Sequence, residues 1–242
     1  FDEIFLPEMT QSEVCDRLFQ PLLEAHVLKF EHCLLFAYGV TGSGKTHTIS
    51  GTPDQPGIVP RVFIELFEII ESHQNYSNNI YIENNLPIMD SCPLKIKDSF
   101  NWKGISSKFR KEHSLLWKKW KDHFDPIVSK PIEDNEGVTY NVFLNYVEVY
   151  NNQVYDLFDF PPDVHQQQWT RKPLQTRIDY NKRSYLANAK NMLVVNAWDA
   201  MKIFLLGNMN RHSSSTHLNR DSSRSHCILT IRLFKNENLG DG

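Results

Sequence analysis

The residues best suited to chemistry in this sequence lie at positions 39–46, which read GVTGSGKT. This stretch matches the pattern G-x-x-x-x-G-K-[ST] at every specified position. Glycines adopt positive φ angles without strain and carry no Cβ, so successive backbone N–H groups can wrap around a phosphate. The pattern predicts a phosphate loop made of Gly39, Val40, Thr41, Gly42, Ser43, Gly44, Lys45 and Thr46.

The last two residues of this loop have side chains that suit a nucleoside triphosphate and its metal ion. Lys45 would place a cation on the β- and γ-phosphates, and the Thr46 hydroxyl lies at the offset that ligates Mg²⁺. A helix beginning there would point its positive end at the phosphate. A Gly/Ser-rich turn that fits by chance is the alternative, and a buried strand before the loop with a helix after it would favour the phosphate site.

A second polar stretch, residues 219–226, reads NRDSSRSH. Its hydroxyls can ligate Mg²⁺ or orient a water, and its arginines can hold a developing phosphate charge or bind another loop. A serine-rich surface loop is the alternative on composition alone. The presence of a phosphate loop elsewhere in the chain favours the chemical interpretation.

Length and composition set limits on the fold and on the partners. The 242 residues, of which 40% are apolar and 23% charged, suit one α/β domain or two small ones. The net charge of −3 gives no overall signal for nucleic acid or membrane. We find no spanning apolar run and no signal-peptide pattern in residues 1–20. The scattered cysteines predict reduced thiols in an intracellular protein.

The residues before position 75 predict helices on either side of one strand. Thr10 and Glu13 form a capping box that opens a helix, and Pro21 should kink or restart it. The apolar run Cys33–Tyr38 predicts a strand. The helix that follows Thr46 should break at the Gly/Pro-rich positions 51–57 and resume near position 60.

Residues 75–137 differ in composition from the rest of the chain. Between positions 95 and 130 there are ten Lys/Arg and four Asp/Glu residues. Within this part, residues 112–124 suit a basic amphipathic helix, with Leu116, Trp117, Trp120 and Phe124 on one face. The stretch could be a docking element for a partner or polymer, or a solvated insertion with one packed helix.

Beyond position 137 the pattern predicts mostly strands and one helix. Val138–Tyr150 is rich in β-branched and aromatic residues and predicts a strand, which is followed by a turn at 151–152 and a helical turn at 154–158. Asn196 or Asp199 could cap a helix over 200–209. Further strands are expected at 175–179, 184–195 and 226–234, the first two forming a hairpin around 180–183.

Four stretches together resemble one known family. FAYGVTGSGKTHTISG resembles the kinesin phosphate loop, and NRDSSRSH matches the kinesin switch I pattern N-x-x-S-S-R-S-H. YVEVYNNQVYDLF resembles the fourth-strand signature of kinesins, and NMNRHSSSTHLN resembles the end of their third helix. The insertion at 75–137 and the sequence STHLNRDSSRSH most resemble those of the mitotic kinesin-like proteins of the central spindle, the kinesin-six class.

The resemblance implies an α/β P-loop NTPase fold with a mainly parallel central sheet flanked by helices. Residues 1–242 would form a partial kinesin motor domain with a basic segment inserted at about 75–137. The implied function is Mg-ATP hydrolysis coupled to microtubule binding and to movement or cross-linking, in mitosis and cytokinesis. ATP and Mg²⁺ would be the cofactors and microtubules the partner, with homodimerisation through a coiled coil outside this chain and no DNA or membrane. The implied location is the cytoplasmic cytoskeleton, at the spindle or midzone.

The resemblance also assigns roles to residues. Gly39–Thr46 would hold the phosphates, with His47 near the adenine. Ser222 and Ser223 would sense the γ-phosphate, Ser223 with Thr46 near the Mg²⁺, and Arg224 would pair with a glutamate of switch II. Arg211 would lie on the γ-phosphate side. The loop with Arg177, Lys182 and Arg183 would lie near the microtubule face, and solvated charges are the alternative there.

Two elements of the family pattern do not occur in these residues. No R-x-R-P segment precedes Phe1 and no D-x-x-G-x-E follows Leu239 in these residues, so we expect them to lack switch II. We therefore expect a partial domain that binds nucleotide poorly and hydrolyses it slowly or not at all alone. The competing hypotheses are a microtubule-binding scaffold that has lost catalysis and, with less support, an unrelated P-loop kinase.

Overall fold

The computed structural model describes residues 2–70, 80–83, 86–89, 107–121, 138–160, 171–218 and 225–237. The chain divides into two compact units. The first comprises residues 1–72 and 117–134, and the second comprises residues 73–116 and 135–242. The prediction of one partial domain with an inserted segment at 75–137 stays a prediction.

The first unit is built from helices. Helix α1 spans Gln11–Leu18 and begins with the predicted capping box of Thr10 and Glu13. Helix α2 spans Gln20–Lys29 and carries Pro21 in its first turn, so the proline restarts the helix as expected. Helix α2 ends at Phe30, whose backbone is left-handed with φ 55°.

Two further helices of this unit surround the Gly/Pro-rich stretch. Helix α3 is short and spans Lys45–Ile49. A tight loop closed by a bridge between Gly51 and Pro56 follows, and helix α4 then spans Ile58–Ile70. The predicted interruption and restart are confirmed. Most of α4 is buried, with Phe63, Leu66 and Ile70 almost fully enclosed, so it forms the core of this unit together with Cys15 and Leu23.

The second unit is built around the long strand β3, Val138–Tyr150. Strand β4 spans Gln153–Asp156, β5 Pro173–Ile178, β6 Ser184–Ala187, β7 Met192–Val194 and β8 Ser225–Glu237. The strand order is β6-β5-β4-β3-β7, with β8 also paired to β3. The strand prediction for 138–150, the turn and the hairpin are confirmed. The helical turn expected at 154–158 is wrong, because Val154 and Tyr155 pair with β3 as part of β4.

The prediction of a mainly parallel sheet is wrong for the described strands, whose pairings are all antiparallel. For two of these pairs, the short connection between the strands explains the antiparallel direction. The β3–β4 turn uses Asn151 and Asn152, both at positive φ, and a two-residue turn can join only antiparallel neighbours. The β5–β6 connection is a short hairpin as well.

Three described elements lie in the basic stretch 75–137. Strands β1, Ile80–Glu83, and β2, Leu86–Met89, form an antiparallel pair, and helix α5 spans Ser107–Lys121. The predicted amphipathic helix therefore exists but begins earlier. On its apolar face Trp120 is buried and Trp117 half-buried, whereas Phe124 lies outside the described residues. His113 donates from Nε2 to the Lys202 carbonyl at 3.0 Å, and burial lowers the pKa of its imidazole.

Helix α6, Ala197–Leu218, packs along β3 and is longer than predicted. Asn196 caps it by accepting a hydrogen bond from the Asp199 N–H at 2.8 Å. Gly207 faces the ring of Tyr146, and a Cβ at this position would overlap that ring. The Tyr146 hydroxyl donates to Asn208 Oδ1 at 2.8 Å, which fixes the helix against the strand.

A buried carboxylate joins β4 to the segment before β7. Asp156 accepts hydrogen bonds from the backbone N–H of Phe158 at 2.8 Å and of Lys190 at 2.7 Å. Burial raises the pKa of this carboxyl group to about 6, although both hydrogen bonds oppose the rise. The Asp156 carboxyl group thus connects two loops by hydrogen bonds, and its raised pKa makes its charge depend on pH near 6.

Candidate functional site

The glycines of the 39–46 stretch adopt positive φ angles, and the phosphate-binding role of this loop stays a prediction. Gly42 has φ 84° and Gly44 has φ 90°, a region that other residues enter only with strain. At Gly39 a Cβ would lie 2.5 Å from Ser43 Oγ, so a side chain there would clash with Ser43. The loop from Gly39 to Gly44 is exposed and leads directly into α3.

Lys45 lies at the end of this loop, and its side chain folds back across it. Its Nζ donates to the Gly39 carbonyl at 2.8 Å and to the Val40 carbonyl at 2.7 Å. The ammonium group therefore lies beside the loop backbone. Thr46 and His47 follow on α3, and both are exposed.

His47 is held between two glutamines. Gln11 Nε2 donates to His47 Nδ1 at 2.8 Å and to the His47 carbonyl at 2.6 Å. Nδ1 thus acts as an acceptor, so the proton lies on Nε2, which faces Gln55 Oε1 at 3.2 Å. These contacts join α1, α3 and the 51–57 loop. No sequence pattern singled out Gln11 or Gln55, and a role of His47 near an adenine stays a prediction.

The strand expected before the loop is not formed within the described part of the chain. Residues 33–38 form no strand, and Leu34, Phe36 and Tyr38 are 79%, 76% and 94% exposed. Apolar composition alone does not make a strand, because a strand also needs a neighbour to share its hydrogen bonds. The prediction of a buried strand at Cys33–Tyr38 is wrong for these residues.

The predicted switch residues Ser222, Ser223 and Arg224 lie outside the described residues, so their roles stay predictions. The residues that flank them are described: α6 runs to Leu218, and β8 begins at Ser225. Arg211, on α6, donates from Nη2 to Ser225 Oγ at 3.3 Å.

A buried charged cluster lies beside Arg211. Glu148 of β3 pairs with Arg171 Nη2 at 3.1 Å and faces Arg211 Nε at 3.9 Å. Cys227, the cross-strand neighbour of Glu148, has its thiol pKa raised to about 11 by burial. The sequence analysis did not single out Glu148, although a lone acid within the apolar strand VFLNYVEVY was a visible signal.

The predicted microtubule-facing residues lie on the β5–β6 hairpin. Asp179 Oδ1 accepts from the backbone N–H groups of Asn181 and Arg183 at 2.9 and 2.8 Å, which closes the turn. Exposed apolar side chains, Ile178 and Tyr180, lie among the basic residues of this hairpin. The structure thus groups Arg177, Lys182 and Arg183 on one exposed hairpin, and their role stays a prediction.

The described residues contain no group of three or more His, Cys, Asp or Glu side chains that could hold a metal ion. Magnesium bound with a nucleotide needs few protein ligands, because phosphate and water oxygens supply the rest. The exposed Thr46 hydroxyl beside the loop fits that role. Among the described helices, none has the length and apolarity needed to cross a bilayer.

Comparison with known proteins identifies a family for the chain. The sequence model of the kinesin motor domain matches residues 1–241. The chain is 30% identical to Kinesin-like protein KIF23 of Mus musculus, over all of this chain and 26% of that protein. It is 28% identical to Kinesin-like protein KIF20A of Bos taurus, over all of this chain and 31% of that protein. The chain therefore spans about a quarter to a third of these relatives.

Solved structures give the same result. A structure described as "kinesin 6" superposes with a TM-score of 0.76 at 29% identity, over all of this chain and 60% of that chain. A structure described as a fast kinesin superposes with a TM-score of 0.64 at 21% identity, which supports the fold alone. The predicted resemblance to kinesins of the six class is confirmed.

Proposed function

Because this chain belongs to the kinesin motor domain family, we propose that it is the nucleotide-binding part of an ATP-dependent microtubule motor. The observation that carries the proposal is the loop at Gly39–Thr46, with Gly42 and Gly44 at positive φ and Lys45 folded across it. A glycine-rich loop with positive φ angles and an ammonium group beside its backbone suits a chain of phosphates better than a neutral ligand.

In the proposed mechanism the loop residues bind and orient the triphosphate. The backbone N–H groups of the loop would bind the phosphates, Lys45 would neutralise their charge and Thr46 would supply a hydroxyl to the metal. Bound Mg²⁺ would supply charge neutralisation at the transferring phosphoryl group. Ser222 and Ser223 would respond to the γ-phosphate, and release of that contact after hydrolysis would change the conformation of the switch segment.

The proposal also covers the binding partners and the cellular location of the whole protein. We place its action on microtubules, by movement or cross-linking, in mitosis and cytokinesis, at the spindle or midzone of the cytoplasmic cytoskeleton. The similarity to the kinesin-six class and the basic stretch 75–137 support this placement. We also propose a homodimer joined by a coiled coil outside these residues, with neither DNA nor membrane as a partner.

Co-sedimentation of the full-length protein with microtubules tests the proposal. A motor should bind microtubules with an affinity that differs between ADP and a non-hydrolysable ATP analogue, because the γ-phosphate controls the switch segment. A scaffold without catalysis would bind equally with either nucleotide, and its binding would weaken with salt. An unrelated kinase would not bind microtubules. Nucleotide-independent binding, or no binding, would overturn the proposal.

A further inference from the structure

Helix α3 carries two of the residues proposed to bind the nucleotide, yet little within the helix fixes its position. It has only five residues, Lys45–Ile49, and none of them is buried. Gly44 precedes it without a side-chain cap. A helix this short is not stable by itself, so its position must come from contacts with other elements. Lys45 and Thr46 lie in its first turn and depend on those contacts.

Gln11 of α1 makes such a contact at the other end of α3. Its Nε2 donates to the His47 carbonyl at 2.6 Å and to Nδ1 of the same histidine at 2.8 Å. The backbone N–H groups of Ser50 and Gly51 both bond to the Thr46 carbonyl, so the His47 carbonyl lies beyond these helical hydrogen bonds. Carbonyl groups in the last turn of a helix need donors from outside the helix. Gln11 supplies that donor.

The elements around α3 are also connected to one another without it. Gln11 is the first residue of α1 and follows the capping residue of that helix. The next residue, Ser12, accepts a hydrogen bond from Arg61 Nη1 of α4 at 3.2 Å. Arg61 Nε donates to the Pro56 carbonyl at 3.1 Å. Helices α1 and α4 and the loop after α3 are therefore held together by contacts that do not involve α3.

Gln55 adds a second contact with α3 from that loop. His47 Nε2 donates to Gln55 Oε1 at 3.2 Å, so Gln55 contacts only the imidazole ring, whereas Gln11 contacts the ring and the backbone. We propose that Gln11 and Gln55 are positioning residues, which hold α3 through His47 in the conformation that binds nucleotide. The inference rests on the proposed function, because it concerns the placement of Lys45 and Thr46.

The physical reason is the population of the binding conformation. A released α3 would spend part of its time with Lys45 and Thr46 displaced, and the apparent dissociation constant rises by the inverse of the fraction that is correctly placed. Saturating nucleotide would restore the placement, since binding selects the competent conformation. The loss therefore raises KM and leaves kcat unchanged. A role in the fold alone would instead reduce the amount of active enzyme, which lowers kcat and leaves KM unchanged.

The test uses the full-length protein in its wild-type form and as Gln11→Ala. The dissociation constant of fluorescent ADP and the KM and kcat of ATP hydrolysis with microtubules are measured for each. We expect the dissociation constant and KM to rise about fivefold, the factor that corresponds to a net loss of about 1 kcal/mol in hydrogen bonding. The value of kcat should not change.

A matched control removes another glutamine. Gln153→Ala takes away an exposed side chain at the start of β4 that accepts a hydrogen bond from the Tyr155 hydroxyl. The chemical change is the same as in Gln11→Ala, and the lost contact lies outside α3. This variant should leave the ADP dissociation constant and KM unchanged. An equal rise in both variants would overturn the inference.

A double-variant cycle tests whether both glutamines act through His47. Gln55→Ala should raise the ADP dissociation constant about twofold in the wild type, since it removes one exposed hydrogen bond. It should have no effect in His47→Ala, because the ring that it contacts is gone. Gln11→Ala should still weaken binding in that background, because the carbonyl at position 47 remains. A reversal of these two results would overturn the inference.

The remaining outcomes separate the inference from the proposed function. A wild type that binds no nucleotide would refute both. A wild type that binds ADP but gains no turnover from microtubules would refute the motor function, and the ADP dissociation constants would still decide the inference. If Gln11→Ala lowers kcat without raising KM, or leaves ADP binding unchanged, the positioning role is refuted. If that variant does not fold, an unchanged dissociation constant in Gln55→Ala refutes it.

Discussion

At the scale of single residues, the proposed function depends on Lys45 and on the glycines before it. Two glycines occupy positive φ, and the lysine ammonium lies within hydrogen-bonding distance of two loop carbonyls. The sequence pattern predicted this loop because its glycines meet a local backbone requirement, namely positive φ angles. It did not predict Gln11 and Gln55 around His47, since those contacts join residues that are distant in sequence.

Asp156 gives a prediction about pH at the same scale. Its pKa is raised from 3.8 to about 6 in the folded state, so folding favours the protonated carboxyl. The stability that this group contributes is fully present below about pH 4 and is lost as the pH rises through about 6. The loss amounts to at most about 3 kcal/mol in the free energy of unfolding.

Urea unfolding between pH 4 and pH 7 measures this effect. Asp156→Asn cannot titrate, so its free energy of unfolding should change less over that range than that of the wild type. The variant should also be less stable overall, because an amide replaces one of the two oxygens that accept backbone N–H groups. Equal pH dependence in both proteins would show that Asp156 is not the responsible group.

At the scale of elements, the contact of α6 with β3 depends on a missing side chain. Gly207 lies against the Tyr146 ring, and a methyl group there would overlap it. Gly207→Ala should therefore lower the free energy of unfolding by about 1–2 kcal/mol, although alanine favours helices by about 1 kcal/mol over glycine. Thermal or chemical denaturation of the two proteins gives the difference.

The same substitution made in the Tyr146→Ala variant provides the control. With Tyr146→Ala in place the ring is gone, so adding Gly207→Ala should stabilise the protein by about 1 kcal/mol through helix propensity. The sign of the substitution should thus reverse between the two backgrounds. Destabilisation of the same size in both would mean that the Tyr146 ring is not what limits this position.

Element prediction from sequence succeeded where the signals were local. The Thr10–Glu13 capping box, the restart at Pro21 and the turn at Asn151–Asn152 each depend on neighbouring residues, and all three are confirmed. The strand at 33–38 and the parallel sheet were wrong, because pairing partners and their direction are set by long-range contacts. Glu148 was missed for the same reason, since Arg171 and Arg211 reach it from other segments.

At the scale of the whole molecule, the chain combines the predicted phosphate loop in its first unit with a switch-like sequence in its second. Family membership connects the two features, since the kinesin motor domain model extends over residues 1–241. We propose that Lys45 and its loop serve ATP turnover in the full-length protein and that this turnover responds to microtubules.

Steady-state ATP hydrolysis by the full-length protein, with and without microtubules, tests this claim most directly. We predict that microtubules raise the turnover rate, that Lys45→Ala removes nearly all of it, and that the exposed control Lys29→Ala retains it. The loss follows from removing the Lys45 ammonium group, which folds across the loop. Turnover that is indifferent to microtubules, or that persists in Lys45→Ala, would contradict the account.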